Sequence, residues 1–170
     1  MYSEIKIESS LVLPYRLINV QHDDELFIFA FKCFDEKQTD YSIQHGGVTG
    51  IFEIEYSCFG LESHFTLDVT VGNVYDFYKS LKDAYDKCFC KDCNATLQNY
   101  GSLNRTSLSL SFDKLGHCLI KGSFLNREHQ YKSGVSFEIE IDQTYIPEIL
   151  LSLKSFFEEL KKIQGHDTFY

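Results

Sequence analysis

The fold is decided by three alternating segments near the end of the chain: Thr106–Phe112 (TSLSLSF), His117–Phe124 (HCLIKGSF) and Val135–Ile141 (VSFEIEI). Apolar and polar residues alternate in each of them, which is the pattern of a β-strand with one buried and one solvated face. The segment Asp142–Glu148 (DQTYIPE) follows directly and opens an amphipathic helix, with Pro147 in the first turn where its missing N–H is tolerated. This stretch predicts antiparallel strands joined by a hairpin and followed by a helix.

The first half of the chain repeats the strand pattern. Glu25–Phe34 (ELFIFAFKCF) is apolar on both faces, which indicates a central strand. Ile51–Phe59 alternates, and a turn at residues 60–62 leads into a second alternating segment, Ser63–Val71, so we predict a hairpin here. Asn73 then has the character of a helix N-cap.

Two helices are predicted, near residues 74–88 and 145–162, from the spacing of apolar residues. Together the patterns predict an α+β fold: an antiparallel twisted sheet or partial sandwich of about six to eight strands with two helices. We expect residues 1–170 to form a single domain. The predicted core consists of Phe29, Phe52, Ile54, Phe65, Leu67, Phe77, Leu81, Leu108, Leu110, Phe137, Ile139, Leu150, Leu153 and Phe157.

The composition limits the partners. The formal net charge is −9, from 25 acidic and 16 basic residues, which disfavours nucleic acid and anionic membranes as partners and permits a basic macromolecule. The N-terminus lacks the pattern of a signal peptide, and no apolar run is long enough to span a bilayer. Six cysteines without an export signal are expected to be reduced thiols, so a cytoplasmic location is predicted.

The cysteines Cys88, Cys90 and Cys93 form the sharpest local cluster. Three thiolates could hold a soft divalent ion if a fourth ligand came from Cys118, His117 or Cys58. The usual zinc signature has two separated pairs, whereas only one tight triplet is present, so we expect no metal and no cofactor. A metal-stabilised interaction or regulatory module that uses this triplet is the alternative function.

No catalytic set is evident in the sequence. The glycine-rich segment 46–50 precedes a strand and lacks the Lys-Ser/Thr of a phosphate loop. General acid–base catalysis needs a carboxylate in a desolvated cleft, whereas the carboxylates here alternate onto outward strand faces. The sequence therefore predicts a protein that is not an enzyme. A concave pocket that places His64, His117 or Cys118 beside carboxylates would favour an enzyme instead.

The outward carboxylates are the better functional candidates. Carboxylates with interleaved tyrosines steer a basic partner and contribute to its binding. The residues predicted to bind such a partner are Asp35, Glu36, Asp40, Tyr41, Glu53, Glu55, Glu138 and Glu140.

The run 107–124, with its Asp113-Lys-Leu-Gly116 turn, and the run 135–150, with its Asp142-Gln-Thr144 helix entry, resemble the C-terminal half of WapI-like immunity proteins. The resemblance covers roughly residues 50 to 160. These are small cytosolic bacterial proteins encoded beside polymorphic or contact-dependent growth inhibition toxins. The resemblance implies a non-catalytic complex with a cognate toxin domain. Many toxin domains of these systems are basic nucleases. It carries over no partner-binding residue.

Overall fold

Eight antiparallel strands in two four-stranded sheets and two helices make up the described part of the chain. The computed structural model describes residues 8–35, 48–67, 69–87, 94–100, 104–113, 115, 117–126 and 133–165. The strands are β1 (Tyr15–His22), β2 (Glu25–Phe34), β3 (Gly50–Cys58), β4 (Leu61–Leu67), β5 (Asn94–Tyr100), β6 (Asn104–Phe112), β7 (Cys118–Asn126) and β8 (Ser133–Ile141). The helices are α1 (Val71–Asp86) and α2 (Tyr145–Gln164).

The first sheet contains β1 to β4 in chain order. β2 lies inside this sheet, and Ile28 and Ala30 on its second face are buried as well as its alternate phenylalanines. β1 has an irregular register between Arg16 and Ile18, and Leu17 and Ile18 are therefore both buried although they are neighbours in sequence.

The second sheet contains β5 to β8, again in chain order. Its register places Leu108, Gly122 and Phe137 side by side on the inner face. The next row, of Ser107, Ser123 and Ser136, lies on the outer face. The sheet is thus apolar toward the first sheet and polar on the other side, as strand alternation requires.

Aromatic rings join the inner faces of the two sheets. Phe137 stacks on Tyr56 with a centroid distance of 4.3 Å and also meets Phe27 at 5.4 Å. Phe65 stacks on Phe124 at 4.8 Å. The two sheets therefore pack face to face around a shared core and do not close into a barrel.

Each helix begins at a recognisable signal. Thr70 caps α1: its hydroxyl accepts a hydrogen bond from Asn73 N, and the Asn73 side chain accepts one from Thr70 N. Asp142 starts α2, because its carboxylate accepts a hydrogen bond from Thr144 N at 2.8 Å. Gly165 ends α2 with φ +72°. Neither of these helices is long and apolar enough to cross a membrane.

Both helices pack on the core through aromatic side chains. Phe156 of α2 meets Phe31 at 5.1 Å, and Phe157 beside it meets Tyr75 and Tyr78 of α1 at 5.0 and 5.7 Å. At the start of α2 the Tyr145 hydroxyl donates to the Gln21 carbonyl of β1. This contact fixes the start of α2 beside the end of β1.

The predicted α+β class, the antiparallel pairing and the two helices are confirmed. The predicted core is buried except for Phe65 and Leu150, which are partly buried against it. The predicted start of the first helix at Asn73 was wrong, because Thr70 supplies the cap and the preceding strand ends at Leu67. The turn before that strand also differs, since it consists of Phe59 and Gly60.

Candidate partner-binding surface

Two of the predicted partner-binding residues, Glu53 and Glu55, lie on the outer face of the first sheet. Glu53 forms an ion pair with Lys32 at 2.6 Å. Glu55 lies opposite His64 in the register of β3 and β4. The charge of Glu53 is therefore largely compensated by its neighbour on the next strand.

Glu138 and Glu140 lie on the outer face of the second sheet. Glu138 pairs with Lys121 at 2.9 Å, whereas Glu140 lies 3.9 Å from His117. Since the two sheets pack through their inner faces, the predicted carboxylates fall on two faces that point away from each other. Asp35, another predicted residue, directly follows β2. The predicted residues Glu36, Asp40 and Tyr41 lie outside the described residues.

The structure brings one predicted residue, Glu140, together with five acidic residues outside the predicted set, at the end of the sandwich where the β1–β2, β3–β4 and β6–β7 turns meet the end of β8. We call this region the acidic end. Its carboxylates belong to Asp23, Asp24, Glu25, Asp113, Glu140 and Asp142. One depression is lined by His22, Glu25, His117, Glu140, Ile141 and Asp142. An adjoining one is lined by His22, Asp23, Asp24, Glu25 and Phe59.

The first sheet contributes the β1–β2 turn to the acidic end. His22 and Glu25 are paired in the register, so Asp23 and Asp24 form a two-residue turn in which Asp23 has φ +48°. Asp tolerates this left-handed conformation better than most residues. Glu25 is held in place by the Cys58 thiol, whose Sγ donates to Oε1 at 3.2 Å.

The second sheet contributes a hydrogen-bonded turn. Asp113 accepts hydrogen bonds from the backbone N–H groups of Leu115 and His117 and lies 2.9 Å from the His117 ring nitrogen. Although partial desolvation opposes it, these hydrogen bonds lower the pKa of Asp113. The backbone N–H of Thr144 lowers the pKa of Asp142. Both carboxylates are therefore firmly ionised at neutral pH.

Exposed apolar side chains lie among these charges. Phe59 is 84% exposed, Leu115 is 78% exposed and Leu61 is 55% exposed. The polar side chains that line the two depressions, as far as the chain is described, are carboxylates and histidines, with no lysine or arginine. An apolar group bordered by carboxylates, without lysine or arginine in the described lining, is suited to binding a basic protein surface.

The groups that would favour an enzyme do not form a desolvated site. Cys118 is fully buried in the core, and burial raises the pKa of its thiol to about 12, so it is not a nucleophile. His64 is exposed on β4. His117 does line a depression with carboxylates, but half of its side chain is exposed and its ring nitrogen is engaged by Asp113.

The predicted triplet Cys88, Cys90 and Cys93 lies outside the described residues. Within the described ranges, no group of three or more His, Cys, Asp or Glu side chains is arranged to hold a metal ion. The described cysteines Cys33, Cys58 and Cys118 are free thiols.

Comparison with known proteins identifies a family and a similar fold. The model of the immunity protein WapI-like family matches residues 47–161. No curated protein sequence matches the chain. Among solved structures, the crystal structure of WHY1 from Arabidopsis thaliana is similar, with a TM-score of 0.51 and 9% identity over 86% of this chain and 84% of that chain. At this identity the similarity concerns the fold alone.

Proposed function

Because the chain belongs to the immunity protein WapI-like family, we propose that it binds a cognate bacterial toxin domain and neutralises it by occlusion, without catalysis of its own. The family match over residues 47–161 carries this proposal, since it spans more than half of the chain and includes six of the eight described strands, all of α1 and most of α2. The toxin belongs to a polymorphic or contact-dependent growth inhibition system, and the complex forms in the bacterial cytoplasm.

The physical properties of the chain support a binding role. One cluster of buried residues draws on both sheets and both helices, so the surface is presented by a well-packed scaffold. A preorganised surface loses little conformational entropy on binding, which favours high affinity. Occlusion requires a complex that dissociates slowly, so that the toxin is rarely free to bind its substrate. Differences in affinity between related complexes lie mainly in the dissociation rate.

The charge of the chain supports a basic partner. A toxin that acts on nucleic acid needs a basic groove for the phosphate backbone. A protein with a net charge of −9 is attracted to such a groove and competes there with the substrate. We therefore propose a basic nuclease domain as the partner.

Co-expression tests the proposal directly. The toxin domain encoded in the adjacent upstream reading frame should arrest growth when expressed alone, and expression of this protein should restore growth and allow the two to be purified together. A toxin domain from an unrelated system is the matched control and should not be neutralised. Continued growth arrest with no complex formed would overturn the immunity assignment.

A further inference from the structure

Phe59 is in a conformation that is unfavourable for its side chain. Cys58 and Leu61 are paired in the register, so Phe59 and Gly60 form a two-residue turn, with φ +47° and φ +84°. Positive φ at both central residues is the geometry of a type I′ hairpin turn, which favours Asn, Asp or Gly at the first position. A bulky aromatic residue there is strained.

Burial does not compensate for this strain. The Phe59 side chain is 84% exposed, so its ring removes little apolar surface from water in the free protein. Neither local conformation nor core packing therefore favours Phe at this position over Asn. Strained residues of this kind concentrate at functional sites.

The surroundings of Phe59 indicate what would cover the ring. Phe59 lines a depression with Asp23, Asp24, Glu25 and His22, which continues into the depression beside Glu140. Leu61, adjacent in the same hairpin, is exposed as well. An aromatic side chain inside a polar rim is a common arrangement at protein–protein interfaces.

We propose that Phe59 is the anchor by which the acidic end docks on the toxin domain, where its ring enters an apolar pocket bordered by lysine or arginine side chains. The inference rests on the proposed function and adds the surface and the chemistry of the partner's site. The carboxylates of Asp23, Asp24 and Glu25 face the basic border of the pocket. They account for orientation and encounter rate, while the desolvated ring accounts for most of the affinity.

The test separates the contribution of the ring from the strain of its backbone. Phe59→Asn removes the ring and relieves the strain, so the isolated protein should melt about 2–4 °C higher while its affinity for the adjacent-frame toxin domain falls at least about 30-fold. Phe59→Ala removes the ring but not the strain and should lose affinity without this rise in Tm. Phe59→Tyr keeps the ring and should retain binding.

Leu151→Gln is the matched control, because Leu151 is 64% exposed but lies on α2, and it should bind as the wild type does. If the wild type protects cells and Phe59→Asn binds equally well, the docking surface is elsewhere and the immunity function stands. If the wild-type protein neither protects cells nor binds, the proposed function fails and this inference fails with it. A wild-type dimer that Phe59→Asn converts to a monomer would assign the ring to self-association and overturn the proposal.

Discussion

Asp113 holds His117 from two sides: its Oδ2 lies 2.9 Å from the ring Nδ1, and its Oδ1 accepts the backbone N–H of His117 at 2.9 Å. The hydrogen bond and charge of Asp113 raise the pKa of His117, against partial desolvation, and Glu140 and Asp142 raise it further. The ring is therefore protonated more readily than an ordinary histidine, and it lines a depression with the carboxylates of Glu25, Glu140 and Asp142.

Asp113→Asn should bring the pKa of His117 back toward its ordinary value, because Asn keeps an oxygen for the turn but removes the charge. A raised pKa in the folded state stabilises the protein below the unfolded pKa of about 6.5, and this contribution is lost as pH rises through the folded pKa. NMR titration of the His117 ring measures the shift, with His64 as the internal control. An unchanged His117 pKa in the variant would show that Asp113 is not its source.

Glu159 links the segment before β1 to α2. It is 8% exposed, and its Oε1 accepts the Ser10 backbone N–H at 2.8 Å while Oε2 accepts from Lys162 at 2.9 Å. The hydrogen bond from Ser10, followed by that from Lys162, lowers the pKa of Glu159 to about 2. Because the folded-state pKa is depressed, the stabilisation is present above the unfolded value and is lost as pH falls toward 2.

Glu159→Gln should lower the free energy of unfolding by about 1 kcal/mol at neutral pH, because Gln retains an acceptor for Ser10 but makes a neutral hydrogen bond. The difference from the wild type should shrink as pH falls from about 4.5 toward 2. Urea unfolding at several pH values measures this. Glu158→Gln, an exposed neighbour, is the control and should change little. A difference that is constant with pH would contradict the assigned charge effect.

Gly122 makes room for a ring that joins the sheets. A Cβ built on Gly122 would overlap the Phe137 ring, and Phe137 is held by its stacking on Tyr56. Replacing glycine by alanine within a strand ordinarily stabilises the fold. Gly122→Ala is therefore expected to be destabilising only because of this overlap. We expect overpacking to lower the free energy of unfolding, measured with urea, by about 1–3 kcal/mol. Ser123→Ala, on the outer face, should change stability by less than about 0.5 kcal/mol, and an equally stable Gly122→Ala would show that Phe137 can move.

The strands that could be predicted are those with regular alternation of apolar and polar residues. Alternation identifies the inner faces of β6, β7 and β8 because each strand has one buried face. β1 was not predicted, because its bulge places Leu17 and Ile18 both inside and breaks the period of two. Local irregularity of this kind leaves no regular pattern in the sequence.

The acidic end could not be predicted because it depends on how the two sheets stack. His22 and Glu25 lie beside His117 and Glu140 only because the turns of both sheets meet at one end. Phe59 did leave a signal: it precedes Gly60 between two alternating segments, which is a two-residue turn pattern. The hairpin was predicted with its turn one residue later, which assigned Phe59 to the strand.

The placement of charge predicts which carboxylates steer association. Asp23→Asn/Asp24→Asn removes two charges from the acidic end and keeps a residue type that tolerates positive φ at position 23. Glu53→Gln/Glu55→Gln removes two charges from the outer face of the first sheet, where Glu53 is already paired with Lys32. The two variants have the same net charge, so any difference between them reports position.

We expect the association rate with the toxin domain to fall several-fold at low salt for Asp23→Asn/Asp24→Asn, with a shallower salt dependence, and to fall less for Glu53→Gln/Glu55→Gln. Stopped-flow mixing over a range of ionic strength measures both quantities. Equal effects would mean that only net charge steers the encounter. At physiological ionic strength the Debye length is about 8 Å, so charges close to the contact dominate steering there. A larger effect of the Glu53/Glu55 variant under those conditions would move the binding surface to the outer face of the first sheet.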